Sequence, residues 1–546
     1  MLHVTSEFGR LREAIVHRPG HELVRMTPST RDYFVFDDLL YDDHARQEHD
    51  WLTDLLQNHL GVKVYYFEEL LGEALSTATD IERQAIISQV CLLESDMPAV
   101  EQRIGQLEVL VRWFQGQGWP QYTQDPQGDP KAAAPGTLPG TLTSLLSHSP
   151  GGETAAVREA REEAGSFDYL QYRLESWSSA GNSHVLAEEL IQGIEARIAT
   201  SPTERPGPPD NGNHDNNGPN GNKQANGNGH TPPIHASDGD VDALRRYVEG
   251  RLFYLTPLPN LMFVRDVATV VNNRLLLARM AAPGRTREPL LLDFVQRNHP
   301  RFRGTARWTW ADARINDPAW PVASSPLLHL EGGNIIQLRE DIVVVGVNER
   351  TTLEAAQRIA DAWRAEAIKD DKQIILYVLR LPVGFNHLDS VFSVINHDEC
   401  IIYPPVFEPY GPASVDVVRI ELSAETMQPT RAADFFESLR NDGMNLTCIP
   451  CGGSDPVDQQ REQWFSAANL LALAPGKVVI FRSSEQTLAA LSEHGYQIVD
   501  ITDIQTGAVN LDLDSPGKWA LKIKGSELSR GHGGPHSLVL PLVRDS

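Results

Sequence analysis

Hydrophobic side chains change their spacing along this chain, and each spacing predicts a different kind of structure. An apolar run from Leu11 to His17 reads as a strand and stops at Pro19-Gly20. Helical spacing follows from about Asp42 to Leu60, and Val62–Phe67 reads as a second strand. Between about 71 and 250 the apolar residues recur at helical spacing. Ile81–Phe114 fits a helix, as does Thr154–Thr200 through its segments Ala155–Glu163 and Val185–Gln192. Residues 201–240 are of low complexity, as in Asn216–Lys223. They lack the apolar side chains that offset ordering entropy, so disorder is expected there. From 251 to 546 strands and helices alternate. Asp341–Gly346, Gln373–Leu379, Lys477–Phe481 and Gln497–Asp500 read as strands, and Thr352–Ala367 and Glu485–Ser492 as helices. The pattern predicts an α/β body formed by 1–70 and 251–546, interrupted at 71–250 by a helical insertion with a flexible tether.

Composition narrows the partners. Length alone allows about three or four units, or one large α/β body with an insertion. With 48 Lys+Arg against 73 Asp+Glu the formal net charge is −25. Such a chain repels phosphate backbones and anionic lipid, so neither nucleic acid nor membrane is an expected partner, and a cationic small molecule suits it better. The four cysteines, Cys91, Cys400, Cys448 and Cys451, are too few for a disulfide framework. Cys448 and Cys451 have CxxC spacing without a second pair, so no metal site is expected. The first residues carry no basic start and no apolar run, and no stretch is long enough to cross a bilayer; a cytoplasmic location is the expectation.

Several polar clusters fall at strand ends and in Gly-rich turns: Asn260 to Asp266, Glu331-Gly-Gly-Asn334, Glu349-Arg-Thr351, Asn386-His387-Leu-Asp389 and Gly531 to Ser537. Glu331 stands before two glycines, where backbone can approach a ligand closely. His387 and Asp389 would share a face of an extended segment. Asp266, Glu331 and Asp389, if they converge, repel one another unless a cation joins them, and a planar guanidinium satisfies carboxylates bidentately. Singly, each acid reads as a turn or capping residue and His387 as a satisfied buried histidine. Their joint occurrence points to a pocket for an arginine-like group.

In order along the chain, these segments resemble the arginine deiminases, a family of the guanidine-modifying pentein superfamily. The likeness runs through Ser6–Arg12, His17–Gly20, Phe36–Asp38, Leu258–Asp266, Pro283–Glu288, Glu331–Gly333, Glu349–Thr351, His387–Asp389, Cys451–Pro456, Arg461–Trp464 and Gly525–Leu528. It implies a five-fold pseudosymmetric α/β propeller of pentein type with an inserted helical domain, acting without a cofactor, as a homo-oligomer, on L-arginine or a related guanidine. It implies that Asp266 and Asp389 grip the guanidinium, that Glu331 holds it and orients His387, and that His387 is general acid and base. It implies further that Asn260, Arg285 and Arg350 recognise the amino-acid end and that Phe263 packs on the aliphatic stem. The family's nucleophile is a cysteine in GRGGPRC. The segment here is Gly531-His-Gly-Gly-Pro-His-Ser537, so serine holds that position, and His532 and His536 stand where the family usually has arginine. His532 is thereby expected near the substrate carboxylate. Asn334 replaces a common acidic residue.

A thiol with pKa about 8.5 is partly ionised near neutrality, whereas a serine hydroxyl needs a strong base. If covalent attack supplies about 4–5 kcal/mol, its loss slows turnover roughly a thousandfold or more. Three readings stay open: a deiminase in which a Cys→Ser exchange leaves the rest of the site intact, a deiminase-like chain that binds guanidines and barely reacts, and an interaction protein using 71–250.

Overall fold

The computed structural model describes residues 2–95, 170–195, 253–308 and 328–545, apart from positions 29, 306, 409–410, 412, 424–426 and 428. The chain divides into two compact units. The first joins Met1–Arg83, Ser179–Ile194 and Thr256–Ser546; the second joins Gln84–Ser178 and Glu195–Leu255. The second unit begins at Gln84, gives way to the first over Ser179–Ile194, and ends at Leu255, five residues beyond the 71–250 span read from the sequence. The expected helix beyond Ser95 to Phe114, the segment Ala155–Glu163 and the low-complexity tract 201–240 lie outside the described residues.

The fold is mixed α/β. Among the described residues the first unit carries five sheets. Leu11–Val16 pairs in parallel with Lys63–Tyr66 and antiparallel with Leu540–Arg544, so the two ends of the unit close in one sheet. Ala268–Val271, Arg274–Leu277 and Arg307–Trp308 form the second. The third has five strands in the order Pro429–Ala432, Asp416–Leu422, Ile374–Arg380, Ile342–Val347, Ile335–Arg339. Phe392–Val394, Glu399–Ile402 and Thr447–Pro450 form the fourth. Leu471–Ala474, Lys477–Phe481, Trp519–Ile523 and Gln497–Asp500 form the fifth.

The strand and helix readings at 341–379 and 477–500 agree with these elements to within about three residues, the usual slack of element ends. The reason is visible at the central strands of the third sheet. Val344, Tyr377 and Leu379 enter one apolar cluster, while Val343, Val345, Leu376 and Val378 enter another on the opposite face. A strand covered on both sides reads as an unbroken apolar run. The second cluster is closed by the helix Leu353–Asp370, whose Ala355, Ala356, Ile359, Ala360 and Trp363 are buried at 3–4 spacing. Burying Ile359 and Trp363 contributes on the order of 1.5–3 kcal/mol each. Thr352 starts this helix by accepting from the Ala355 N–H. The helix from Asp42 runs as α to Asp54 and widens to a π turn over Leu55–His59.

Candidate functional site

Two short helical turns bring Asp266 to the site. Pro259–Met262 forms a 3-10 turn, and Val264–Val267 follows as a single α turn carrying Asp266, 3% exposed. Glu331 is extended and fully buried, and Gly332–Asn334 turns the chain into the strand Ile335–Arg339. The two glycines admit protein rather than ligand. A Cβ at Gly332 would collide with the Arg265 carbonyl, and one at Gly333 would press on the His387 ring at 2.9 Å. His387 is extended, but Leu388–Ser390 folds into a 3-10 turn, so the expected strand alternation does not set the direction of Asp389. A local bond from Ser390 Oγ to the His387 carbonyl belongs to that turn. Ser537 follows the 3-10 turn Leu528–Gly531 and precedes the strand Leu540–Arg544.

The expected acids and imidazole converge. His387 Nε2 meets Glu331 Oε2 at 2.7 Å, and His387 Nδ1 faces Asp266 Oδ1 at 3.6 Å. Asp266 Oδ1 is buried without a hydrogen-bond partner. The cations that join the carboxylates come from the chain itself. Arg285 Nη1 lies 2.8 Å from Asp266 Oδ2, and Arg350 Nη1 lies 3.6 Å from Glu331 Oε1. Burial alone would lift the Glu331 carboxyl, yet the His387 hydrogen bond and the charges of His387, Arg350 and Arg285 hold it down at about 2. Burial works against a charged His387, and Asp266, the Glu331 hydrogen bond and Asp389 overrule it, so its pKa is raised. Asp266, Glu331 and His387 bring three donor atoms within 4.8 Å of one another, a set able to cradle a cation.

Ser537 is 4% exposed and gives its hydroxyl to Asn469 Oδ1 at 3.2 Å rather than to His387. Asn469 Oδ1 also accepts from the Gly534 and Ser537 N–H groups at 2.9 and 3.1 Å, while its Nδ2 donates to the Asp389 carbonyl at 3.2 Å. One amide therefore clasps the Ser537 loop to the His387–Asp389 loop. The Ser537 carbonyl accepts from the Arg265 N–H, one residue before Asp266.

The residues expected to recognise the rest of a substrate are placed unevenly. Phe263 is buried with its ring against Gly531 and Gly533, in the space a Cβ there would fill. Asn260 gives its side-chain amide to the Phe34 carbonyl. Arg285, 3% exposed, is engaged on Glu288, Asp266 and the Asn260 carbonyl, so its guanidinium binds carboxylates of the protein. Arg350 keeps partial exposure beside Glu331. His532 pairs with Asp37 at 2.5 Å and lies edge-on to Trp464, whose exposure is 57%.

Sequence reasoning missed Glu7, Glu288 and Asn469. Glu7 lies about 260 residues or more from its partners Arg265 and His536, and Asn469 sits in an ordinary apolar segment, so no local pattern marks either. Asn334, which stands where the family commonly has an acid, uses both ends of its amide: it accepts from the Leu388 N–H at 2.9 Å and donates to Thr351 Oγ1 at 3.0 Å, a donation a carboxylate could not make. The cysteines are free, and burial pushes the Cys451 thiol up to about 12 and Cys400 upward as well. Neither is a ready thiolate nucleophile.

Comparison with known proteins gives the family. The arginine deiminase of Bacillus cytotoxicus is 26% identical over 548 residues, covering 100% of this chain and 98% of the relative. That of Limosilactobacillus fermentum is 24% identical over 550 residues with the same coverage. The substrate-bound N-terminal domain of ArgZ, a cyanobacterial arginine dihydrolase, is 17% identical over 52% of this chain and 77% of its own, with a TM-score of 0.33. A dimethylarginine dimethylaminohydrolase of Pseudomonas aeruginosa in complex with citrulline gives 17%, 52%, 76% and 0.31. Among the described residues no helix is long and apolar enough to cross a membrane. The arginine deiminase family model matches residues 32–114 and 232–544, well over half of the chain, and the chain belongs to that family.

Proposed function

We propose that this protein binds L-arginine, or a close guanidine, and hydrolyses it to citrulline and ammonia, slowly for want of a thiol at position 537. The observation that carries the reading is His387 held between Glu331 and Asp266, with Asp266 Oδ1 buried and unpartnered beside it. A guanidinium N–H is the donor such an oxygen lacks. Asp266 and Asp389 take the two edges of the planar cation. Ser537 Oγ adds to the guanidinium carbon as its proton passes to the His387 ring, which hands it to the departing ammonia; the neutral ring then takes a proton from the attacking water and returns it to Ser537 Oγ as the C–O bond to serine breaks and citrulline is released. Arg350, Asn260 and His532 meet the amino-acid end and Phe263 the stem; Arg285 reaches the substrate only by leaving Asp266 and Glu288. On this reading the five sheets of the first unit are the five blades of a pentein-type propeller, interrupted in sequence by the helical insertion. The active form is a cytoplasmic homo-oligomer.

The test is citrulline release from arginine by the protein and by Ser537→Cys. The cysteine variant is expected to be faster by roughly a thousandfold or more. A cysteine variant that binds arginine and forms no citrulline ends the enzymatic reading.

A second reading has its own support: the Ser537 hydroxyl is given to an acceptor that already takes two N–H groups, and among the described residues no base is hydrogen-bonded to it. On that basis the chain is a guanidine binder without turnover. Calorimetry separates the two, since arginine binding with no reaction in either form favours the binder.

A further inference from the structure

Joined to the candidate site through Asp389 is a buried chain of charges, His536, Glu7 and Arg265, that the proposed reaction does not use. His536 Nδ1 is 2.9 Å from Asp389 Oδ2, and His536 Nε2 is 3.2 Å from Glu7 Oε2. Glu7 is met in turn by Arg265 Nη2 at 2.7 Å. His536, Glu7 and Asp389 are exposed by 5%, 4% and 1%. An ionised carboxylate accepts and cannot donate, so a ring bonded to two of them donates from both nitrogens and carries a positive charge. We propose that His536 is a positioning residue for guanidine binding: braced on Glu7, it holds Asp389 Oδ2 and leaves Oδ1 for the ligand. This rests on the reading of Asp389 as a guanidinium-binding residue.

Chemistry explains why a neutral side chain would serve less well. With its proton lost, one ring nitrogen turns a lone pair toward a carboxylate, and the Asp389 carboxylate loses its brace. Burial disfavours the charged ring; the hydrogen bonds to Asp389 and Glu7 and the Glu7 charge raise its pKa, and Arg265 opposes them. On the other side Glu7 is held down at about 2 by Arg265, His536 and Arg544 against the cost of burial. The contribution of His536 to binding is therefore complete below the ordinary imidazole pKa and fades as pH rises through the raised one. His387 also has a raised pKa, and its charge repels a guanidinium, so its titration acts in the opposite direction. The difference between variants isolates His536.

The experiment is calorimetric affinity for L-arginine across about pH 6 to 9, on the full-length protein, His536→Gln and His536→Arg. At the acid end His536→Gln is expected to bind roughly tenfold or more weakly, and the gap from the parent should close as pH rises. His536→Arg keeps a permanent charge and is expected to hold the parent's acid-end affinity through to the alkaline end. Superimposable profiles for the parent and His536→Gln overturn the proposal. If His536→Gln does not fold, Glu7→Gln replaces it: losing one carboxylate lowers the ring's pKa, so the decline moves to lower pH, and an unmoved decline overturns the proposal. A parent that binds no arginine at any pH overturns both the inference and the guanidine reading, whereas a binding parent with His536-independent affinity overturns the inference alone.

Discussion

His536 and His49 are both buried and live in opposite electrostatic surroundings. His536 is bracketed by Asp389 and Glu7 and is raised above an ordinary imidazole. His49 is 0% exposed, and neither ring nitrogen has a hydrogen-bond partner. Burial, with a smaller push from His17, drops its pKa to about 3, so it is neutral in the folded protein. Burial alone therefore does not decide the charge of a histidine; the presence of carboxylates does. The same rule separates the candidate site, where Arg285, Arg350, His387 and His536 are each answered by acids, from the packing around the helix Asp42–Asp54, where the His49 imidazole is tolerated at a cost.

Removing an answered charge should be the most disruptive change. Arg285→Ala leaves Asp266 and Glu288 buried without their shared cation, and urea unfolding should show a loss of about 3–5 kcal/mol. A loss below about 1 kcal/mol would mean that Arg285 is not the clamp the geometry describes.

Acid should strip both regions, in separable windows. Glu7 and Glu331 have folded pKa values near 2 against an ordinary 4.5. The unfolded chain binds their protons first, so their stabilisation is present above about 4.5 and is lost as pH falls toward 2. His49, at about 3 against an ordinary 6.5, takes its proton earlier in the unfolded chain and erodes stability from about 6.5 downward. Thermal melts across this range should therefore decline in two stages, and Glu331→Gln should blunt only the lower one.

The smallest effect should be a gain. His49→Leu fills the same apolar space and deletes two unpartnered nitrogens, which should raise stability by about 1–2 kcal/mol. Its melts should also lose the upper acid stage. A destabilised His49→Leu would show that the ring is partnered in solution.

Local pattern was enough for the elements whose burial is two-sided or helical, because strands such as Ile342–Val347 and the helix Leu353–Asp370 advertise their neighbours in their own spacing. It also marked the polar clusters that hold Asp266, Glu331 and His387, which the fold brings together. Contacts across hundreds of residues were not legible. The strand Leu540–Arg544 closing on Leu11–Val16, Glu7 reaching His536 and Arg265, and Asn469 clasping Ser537 join segments that share no sequence pattern. Nor could spacing show that Arg285 faces Asp266 and Glu288, or that a 3-10 turn aims Asp389. The linear chain determined which chemical groups are present and which segments bury apolar surface. Only the tertiary structure decided which charges meet, because electrostatic partners are chosen by distance in space, and a few ångströms of separation decide whether a buried group keeps or loses its proton.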